Sequence, residues 1–147
     1  MSRKKPKPVK RRMTVWMWIG IGLVLLLAAA AVFWMVYPRD RSGIPAEISV
    51  QEAYAKREAG AFILDVRQPE EWEQVHIPGA TLIPLGDLPD RLSEVPGDQE
   101  VVVVCRSGNR SQEGRDILKK AGYEQVTSMK GGIKEWQAAG YPTLSGP

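Results

Sequence analysis

The sequence predicts an α/β domain, a small central parallel sheet flanked by helices, preceded by one transmembrane helix. Three observations point there. From Glu47 onward, short apolar runs alternate with helix-patterned segments, the order that wraps helices around a parallel sheet. One run, Val101-Val102-Val103-Val104, contains no polar residue, as expected of a strand covered on both faces at the sheet centre. And no charged residue falls between Arg12 and Arg39.

The N-terminal part divides by charge. Residues 1–37 carry Arg3, Lys4, Lys5, Lys7, Lys10, Arg11 and Arg12 and no acid, a charge of +7. The remaining 13 basic and all 17 acidic side chains leave residues 38–147 at −4, so the overall +3 describes neither part. Residues 1–14 read as a basic cytoplasmic tail and 15–37 as the transmembrane helix. About 23 residues at the helical rise reach roughly 34 Å, enough to cross a hydrocarbon core. Trp16, Trp18, Trp34 and Tyr37 lie near its two ends, where amphipathic aromatics anchor. A cleaved secretory signal would have a shorter apolar region ending at small residues; here Ala29-Ala30-Ala31 runs on into more apolar and aromatic residues. The excess of basic residues before the span predicts a single-pass protein of the cell membrane, its N-terminus cytoplasmic and its domain on the extracytoplasmic side. The mildly acidic domain lacks the footprint of a nucleic-acid binder.

Residues 38–46, with Pro, Gly and charge, read as a linker, and the domain occupies 47–147. Ser49 is placed to N-cap a helix over 50–59, closed by Gly60. Residues 61–64 read as a buried strand ending at Asp65. Pro69 opens a single helical turn with Glu70 and Glu71 near its positive end. His76-Ile77-Pro78-Gly79 reads as a turn in which the histidine is a hydrogen-bonding partner. Residues 80–83 form another short strand and 85–95 a proline-broken helix. The strand over 100–104 comes next, then a helix from Ser111 to Ala121 before Gly122. A strand over 125–129 and a helix over 132–139, stopped by Gly140, complete the alternation. Trp72 and Trp136 read as core residues.

The chemistry concentrates at Cys105, the only cysteine in the chain. It ends the valine strand, and Arg106-Ser107-Gly108-Asn109-Arg110 lead into the following helix. In parallel sheets, ligands bind beyond the carboxyl ends of the strands. Backbone N–H groups of such a loop and of the first helical turn favour an anion and a thiolate, and the two arginines add positive potential. A lone cysteine is commonly a small buried hydrophobe; the polar, glycine-containing loop argues for a nucleophile instead. With one cysteine there is no internal disulfide and no intramolecular dithiol exchange. One cysteine and one distant histidine do not make a zinc site. No metal and no cofactor is called for.

These residues resemble the single-domain rhodaneses, the thiosulfate sulfurtransferase-like domains. The matching pieces are Leu64-Asp65-Val66-Arg67, Pro69-Glu70-Glu71-Trp72, His76-Ile77-Pro78-Gly79-Ala80 and Ile83-Pro84-Leu85. Further on come Cys105-Arg106-Ser107-Gly108-Asn109-Arg110-Ser111 and Gly131-Gly132-Ile133 with Trp136 and Gly140. They stand in the family's order across about 47–143; Val75 departs, where the family often has glycine. Four residues separate Cys105 from Arg110. Phosphatases and arsenate reductases of similar loop design use a longer loop, so the resemblance implies a cradle sized for sulfur rather than for a phosphoryl group.

The resemblance implies a sulfurtransferase that passes a sulfane sulfur from a small donor such as thiosulfate, through a Cys105 persulfide, to a thiophilic acceptor, cyanide or a thiol. In that reading Arg106 attracts the donor at the mouth, Arg110 braces the loop through backbone carbonyls, and Asp65 and Arg67 form a supporting ion pair. The alternative is a non-catalytic sulfur-binding or protein-docking module at the membrane. A redox relay through a partner's cysteine is a further rival. No protein partner is identified by the sequence.

Overall fold

The computed structural model describes residues 15–36 and 43–147, with side chains described for 18–29 and 43–147. The chain divides into two units, parted between residues 41 and 42. The first contains helix α1, Val15–Val36. Its described side chains are apolar and exposed, with Leu23 to Leu27 each 60% exposed or more. Among the described residues no helix is long and apolar enough to cross a membrane. The transmembrane helix expected over 15–37 therefore has no support there, since α1 has described side chains over 18–29 only. The basic tail and the first part of the expected linker lie outside the described residues.

The second unit is a five-stranded, all-parallel sheet. Strands β1 (Glu47–Ile48), β2 (Phe62–Asp65), β3 (Thr81–Leu82), β4 (Val101–Val104) and β5 (Val126–Met129) stand in the order β1-β5-β4-β2-β3. The helices are α2 (Val50–Glu58), α3 (Pro69–Gln74), α4 (Asn109–Lys120) and α5 (Gly132–Ala138). The valine strand is central, as its composition demanded. All four valines are fully buried because each face has its own cover. Val102 and Val104 join Ile63, Met129, Ile133 and Trp136 on one face. Val101 and Val103 join Leu64, Val66, Leu118, Val126 and Cys105 on the other. Parallel pairing sets Asp65 beside Val104 and Phe62 beside Val101, so β2 and β4 end at the same level. At the opposite end of β4, Lys56 pairs with Glu100 at 2.6 Å, and the Glu100 carbonyl accepts from Phe62 N–H at 2.8 Å.

Local signals hold where they are chemical. Ser49 Oγ accepts from Glu52 N–H at 3.2 Å while Glu52 Oε2 accepts from Ser49 N–H at 2.8 Å, a reciprocal cap that starts α2. Four expectations differ. The edge strand β1 was not expected, because two residues carry no periodicity; its partner β5 creates it. The broken helix over 85–95 is two 3-10 turns, Leu88–Asp90 and Leu92–Glu94, since prolines and short spacing prevent α-helical bonding. Helix α4 begins at Asn109, two residues before Ser111, because Gly108 in the left-handed region (φ 109°) turns the chain into the helix early. Trp136 is fully buried, but Trp72 is only half-buried and stacks on His76 at 3.9 Å. His76 Nδ1 lies 3.0 Å from the Trp72 carbonyl.

The C-terminal segment crosses back over this corner. His76 and Leu144 exchange backbone hydrogen bonds of 2.8 Å each way, and Gly146 N–H donates to the Glu73 carbonyl. Trp136 Nε1 donates to the Pro142 carbonyl at 2.9 Å, which satisfies the one polar atom of the buried indole.

Candidate active site around Cys105

Cys105 follows the last residue of β4, and α4 begins four residues later. The chain must therefore reverse within Arg106, Ser107 and Gly108. Gly108 supplies the positive φ, and its N–H donates to Cys105 Sγ at 3.1 Å. Ser111, on the first turn of α4, lies with Oγ 3.7 Å from Sγ and donates its own proton to the Gly108 carbonyl at 2.7 Å. The sulfur thus sits against a backbone donor, a hydroxyl oxygen and the positive end of a 12-residue helix.

Two carbonyls of the loop are turned the other way. Cys105 O accepts from Ile133 N–H at 2.8 Å and Arg106 O from Lys134 N–H at 3.3 Å, so the first turn of α5 clamps the loop from outside. Gly132 permits this approach. A Cβ there would stand 2.4 Å from Cys105 O, and its φ of +60° is one that side-chain-bearing residues rarely adopt.

Cys105 is 1% exposed. Bonds to Gly108 and Ser111 hold the sulfur at the floor of the loop, in the core cluster with Val66, Val103 and Leu118. Arg106 is exposed and has no ion-pair partner among the described residues. Ser107 and Asn109 are exposed.

Arg110 does not brace loop carbonyls. Its guanidinium takes Glu71 of α3 in a two-pronged bond, Nη1 to Oε2 at 2.7 Å and Nη2 to Oε1 at 2.8 Å. A carboxylate outcompetes neutral carbonyls for a guanidinium. The bond holds the Glu71 carboxyl well below its ordinary range, at about 2, with help from the Gln68 N–H and the Arg67 charge against a smaller effect of burial. The same bond raises the pKa of Arg110, and the fields of Cys105 and Asp65 add to the rise. Arg110 therefore contributes positive potential at the sulfur while being fixed by a residue 39 positions away.

Asp65 and Arg67 are both buried and ion-paired, Nη2 to Oδ2 at 2.6 Å. The remaining Arg67 donors reach the Val75 carbonyl at 2.7 Å and the Glu71 carbonyl at 3.3 Å. The pair thus ties the end of β2 to the carbonyl end of α3 and carries Glu71 toward Arg110. A cleft of about 340 Å³ opens between α3 and α5, lined by Arg67, Glu71, Val75, Arg106, Ile133 and Lys134 with the amides of Gln74 and Gln137.

Ser111, Glu71 and the α5 residues were absent from the residues expected to form the site. Ser111 is legible afterwards from its place one helical turn beyond the loop. Glu71 is not, because its role depends on α3 packing beside α4.

Comparisons with known proteins agree with this arrangement. A family model described as the rhodanese-like domain matches residues 49–139. A sulfurtransferase of Allochromatium vinosum is 40% identical over 84 residues, covering 57% of this chain and 78% of that protein. The YrkF protein of Bacillus subtilis is 39% identical over 98 residues, 65% of this chain; the chain spans about half of that relative's length, 52%. A crystal structure of a rhodanese-related protein from Thermoplasma volcanium superposes with a TM-score of 0.64 at 29% identity, covering 68% of this chain and 98% of that one.

Proposed function

The chain belongs to the rhodanese-like family, and from that membership we propose that it is a sulfurtransferase working through a persulfide on Cys105. Cys105 thiolate attacks the outer sulfur of a thiosulfate-type donor. The donor S–S bond breaks, sulfite leaves with the electron pair, and Cys105 keeps the sulfur. A thiophilic acceptor, cyanide or a thiol, then takes that sulfur and Cys105 returns as thiolate. The observation that carries the reading is the Gly108 N–H aimed at Sγ from 3.1 Å, at the start of α4. A donor in that place favours negative charge on sulfur before and after each step. Arg106 meets the anionic donor at the rim, and Arg110, fixed by Glu71, adds potential behind the loop. Cys105→Ser tests it: thiocyanate formation from thiosulfate and cyanide disappears, and full activity in the variant overturns the assignment. The wild-type protein also gains about 32 Da on thiosulfate treatment, lost on adding cyanide.

The burial of Cys105 favours a second reading, a sulfur-binding or protein-docking module without turnover. The outer sulfur of a persulfide stands about 2 Å from Sγ. A chain that takes up sulfur from thiosulfate but releases none to cyanide or thiols would support the second reading.

We also propose that residues 15–37 anchor the domain in the cell membrane as a single pass, with the N-terminus cytoplasmic and the domain extracytoplasmic. The charge-free run after a +7 tail, and the exposed leucines of α1, support it. Recovery of the full chain from alkaline-washed membranes, with the domain open to protease in spheroplasts, is expected; a freely extractable chain overturns it.

A further inference from the structure

We propose that the cleft between α3 and α5, together with the basic rim of the loop after Cys105, is a docking furrow for an acidic peptide segment of a partner protein. This holds whether or not the domain turns sulfur over. Most cations of the domain are already engaged. Lys56, Arg57, Arg67, Arg91, Arg110 and Arg115 each meet a carboxylate. Lys119 donates to the Glu124 carbonyl. The side chains of Arg106, Lys120, Lys130 and Lys134 are exposed and have no partner among the described residues.

Three of these four stand together. Lys134 N–H donates to the Arg106 carbonyl at 3.3 Å, and the Cα of Lys130 lies 3.9 Å from where a Cβ on Gly108 would stand. Arg106, Lys130 and Lys134 therefore ring the end of the loop, whereas Lys120 closes the far end of α4. The rim is positive although residues 38–147 carry −4 overall. Within the cleft, Glu71 is taken by Arg110 and Arg67 by Asp65. Glu135, the acid of α5, lies against Gly131 and does not line the cleft. Like charges gathered without counter-charge repel one another, and an anionic partner relieves that repulsion and is steered toward it.

The lining selects a peptide over an enclosed small molecule. Small-molecule sites are mostly apolar and cover most of their ligand. Here Gln74, Arg106, Lys134 and Gln137 are all exposed, so the furrow opens to solvent, and only Val75 and Ile133 are aliphatic. Its volume of about 340 Å³ takes a few residues of chain. Gln74 stands on α3 and Gln137 on α5, and each side-chain amide offers the donor and acceptor that complement a main-chain peptide group. Lys134 and Arg106 then meet carboxylates of the same segment, and the guanidinium suits a two-pronged bond. Lys130 continues the basic surface past the loop.

The isotope-labelled full chain, in a neutral detergent, is titrated by NMR with the thiol-free peptide Ac-Gly-Glu-Asp-Glu-Glu-Gly-NH2. Shifts are expected at the amides of Val75, Ile133 and Lys134 and at the side chains of Gln74 and Gln137. A control peptide with Gln and Asn for Glu and Asp is expected to bind about tenfold more weakly. Raising salt from about 50 to about 500 mM is expected to weaken the acidic peptide by a similar factor. Lys134→Glu and Lys130→Glu each weaken it about fivefold, while Lys120→Glu leaves it within about twofold. Equal binding of the two peptides, an equal loss in Lys120→Glu, or no shift at the cleft overturns the inference. So does saturation of the same amides by inorganic phosphate or by phosphatidylglycerol vesicles while the acidic peptide leaves them unmoved. The titration is repeated in Cys105→Ser, where docking is expected to persist, so that loss of sulfur transfer and loss of docking are read separately.

Discussion

Glu71→Gln isolates the link between α3 and the loop that follows Cys105. The carboxyl of Glu71 sits at about 2 instead of its ordinary 4.5, chiefly through its two-pronged bond with Arg110. A gap of that size corresponds to at most about 3 kcal/mol of folding free energy. The side chains of Arg110 and Glu71 are 32% and 27% exposed, so solvent screening reduces this to about 1–2 kcal/mol. The folded-state value is depressed, so the contribution is complete above pH 4.5 and is lost as pH falls toward about 2. Urea unfolding of wild type and Glu71→Gln between pH 7 and pH 2 measures it. The wild type is expected to be more stable by about 1–2 kcal/mol at pH 7, with the difference closing through that window. A difference that stays constant down to pH 2, or that is absent at pH 7, refutes the reasoning. Because the two-pronged bond to Glu71 is what fixes Arg110 beside the loop, the variant should lower the rate of sulfur uptake by about three- to tenfold while the fold persists.

Gly132→Ala places a methyl 2.4 Å from the Cys105 carbonyl at a φ of +60° and breaks the clamp by α5; stability is expected to fall by about 3 kcal/mol and sulfur uptake by about a hundredfold, read by thermal unfolding and the thiocyanate assay. A wild-type rate in that variant would show that the clamp does not set the loop. Removal of residues 142–147 strands the buried Trp136 N–H and frees the His76 pairing, with an expected loss of about 2–3 kcal/mol in urea and a red-shifted tryptophan emission. Cys105→Ser is expected to unfold within a few degrees of wild type, because the volume change is small and Ser111 and Gly108 can still bond a hydroxyl.

The order and type of the larger elements were legible because their causes are local. Four consecutive valines, a Ser49-to-Glu52 cap and a proline at the head of α3 each act over a few residues. The placement of Cys105 beyond the central strand followed from the same alternation. What was not legible depends on which elements become neighbours. Arg110 was expected on loop carbonyls, because nothing in its own segment announces Glu71 as a partner. The edge strand β1 exists only through β5. The near-complete burial of Cys105 comes from Ser111 and Gly108 acting with the α4 side of the core, a packing property rather than a motif.

The central strand has a consequence for how the sulfur finds its place. A displacement of β4 by two residues would leave valine at only two of its four positions and draw Gln99 and Glu100, or Cys105 and Arg106, into the other two. The alignment is thus set at the tips. Lys56 grips Glu100 below, and above, the peptide groups of residues 105 and 106 fasten onto α5. The height of Cys105 is therefore fixed by two moorings at opposite poles of the domain. Loosening the lower one, by Glu100→Gln, should blur the upper end, where hydrogen exchange at Gly108 would detect it.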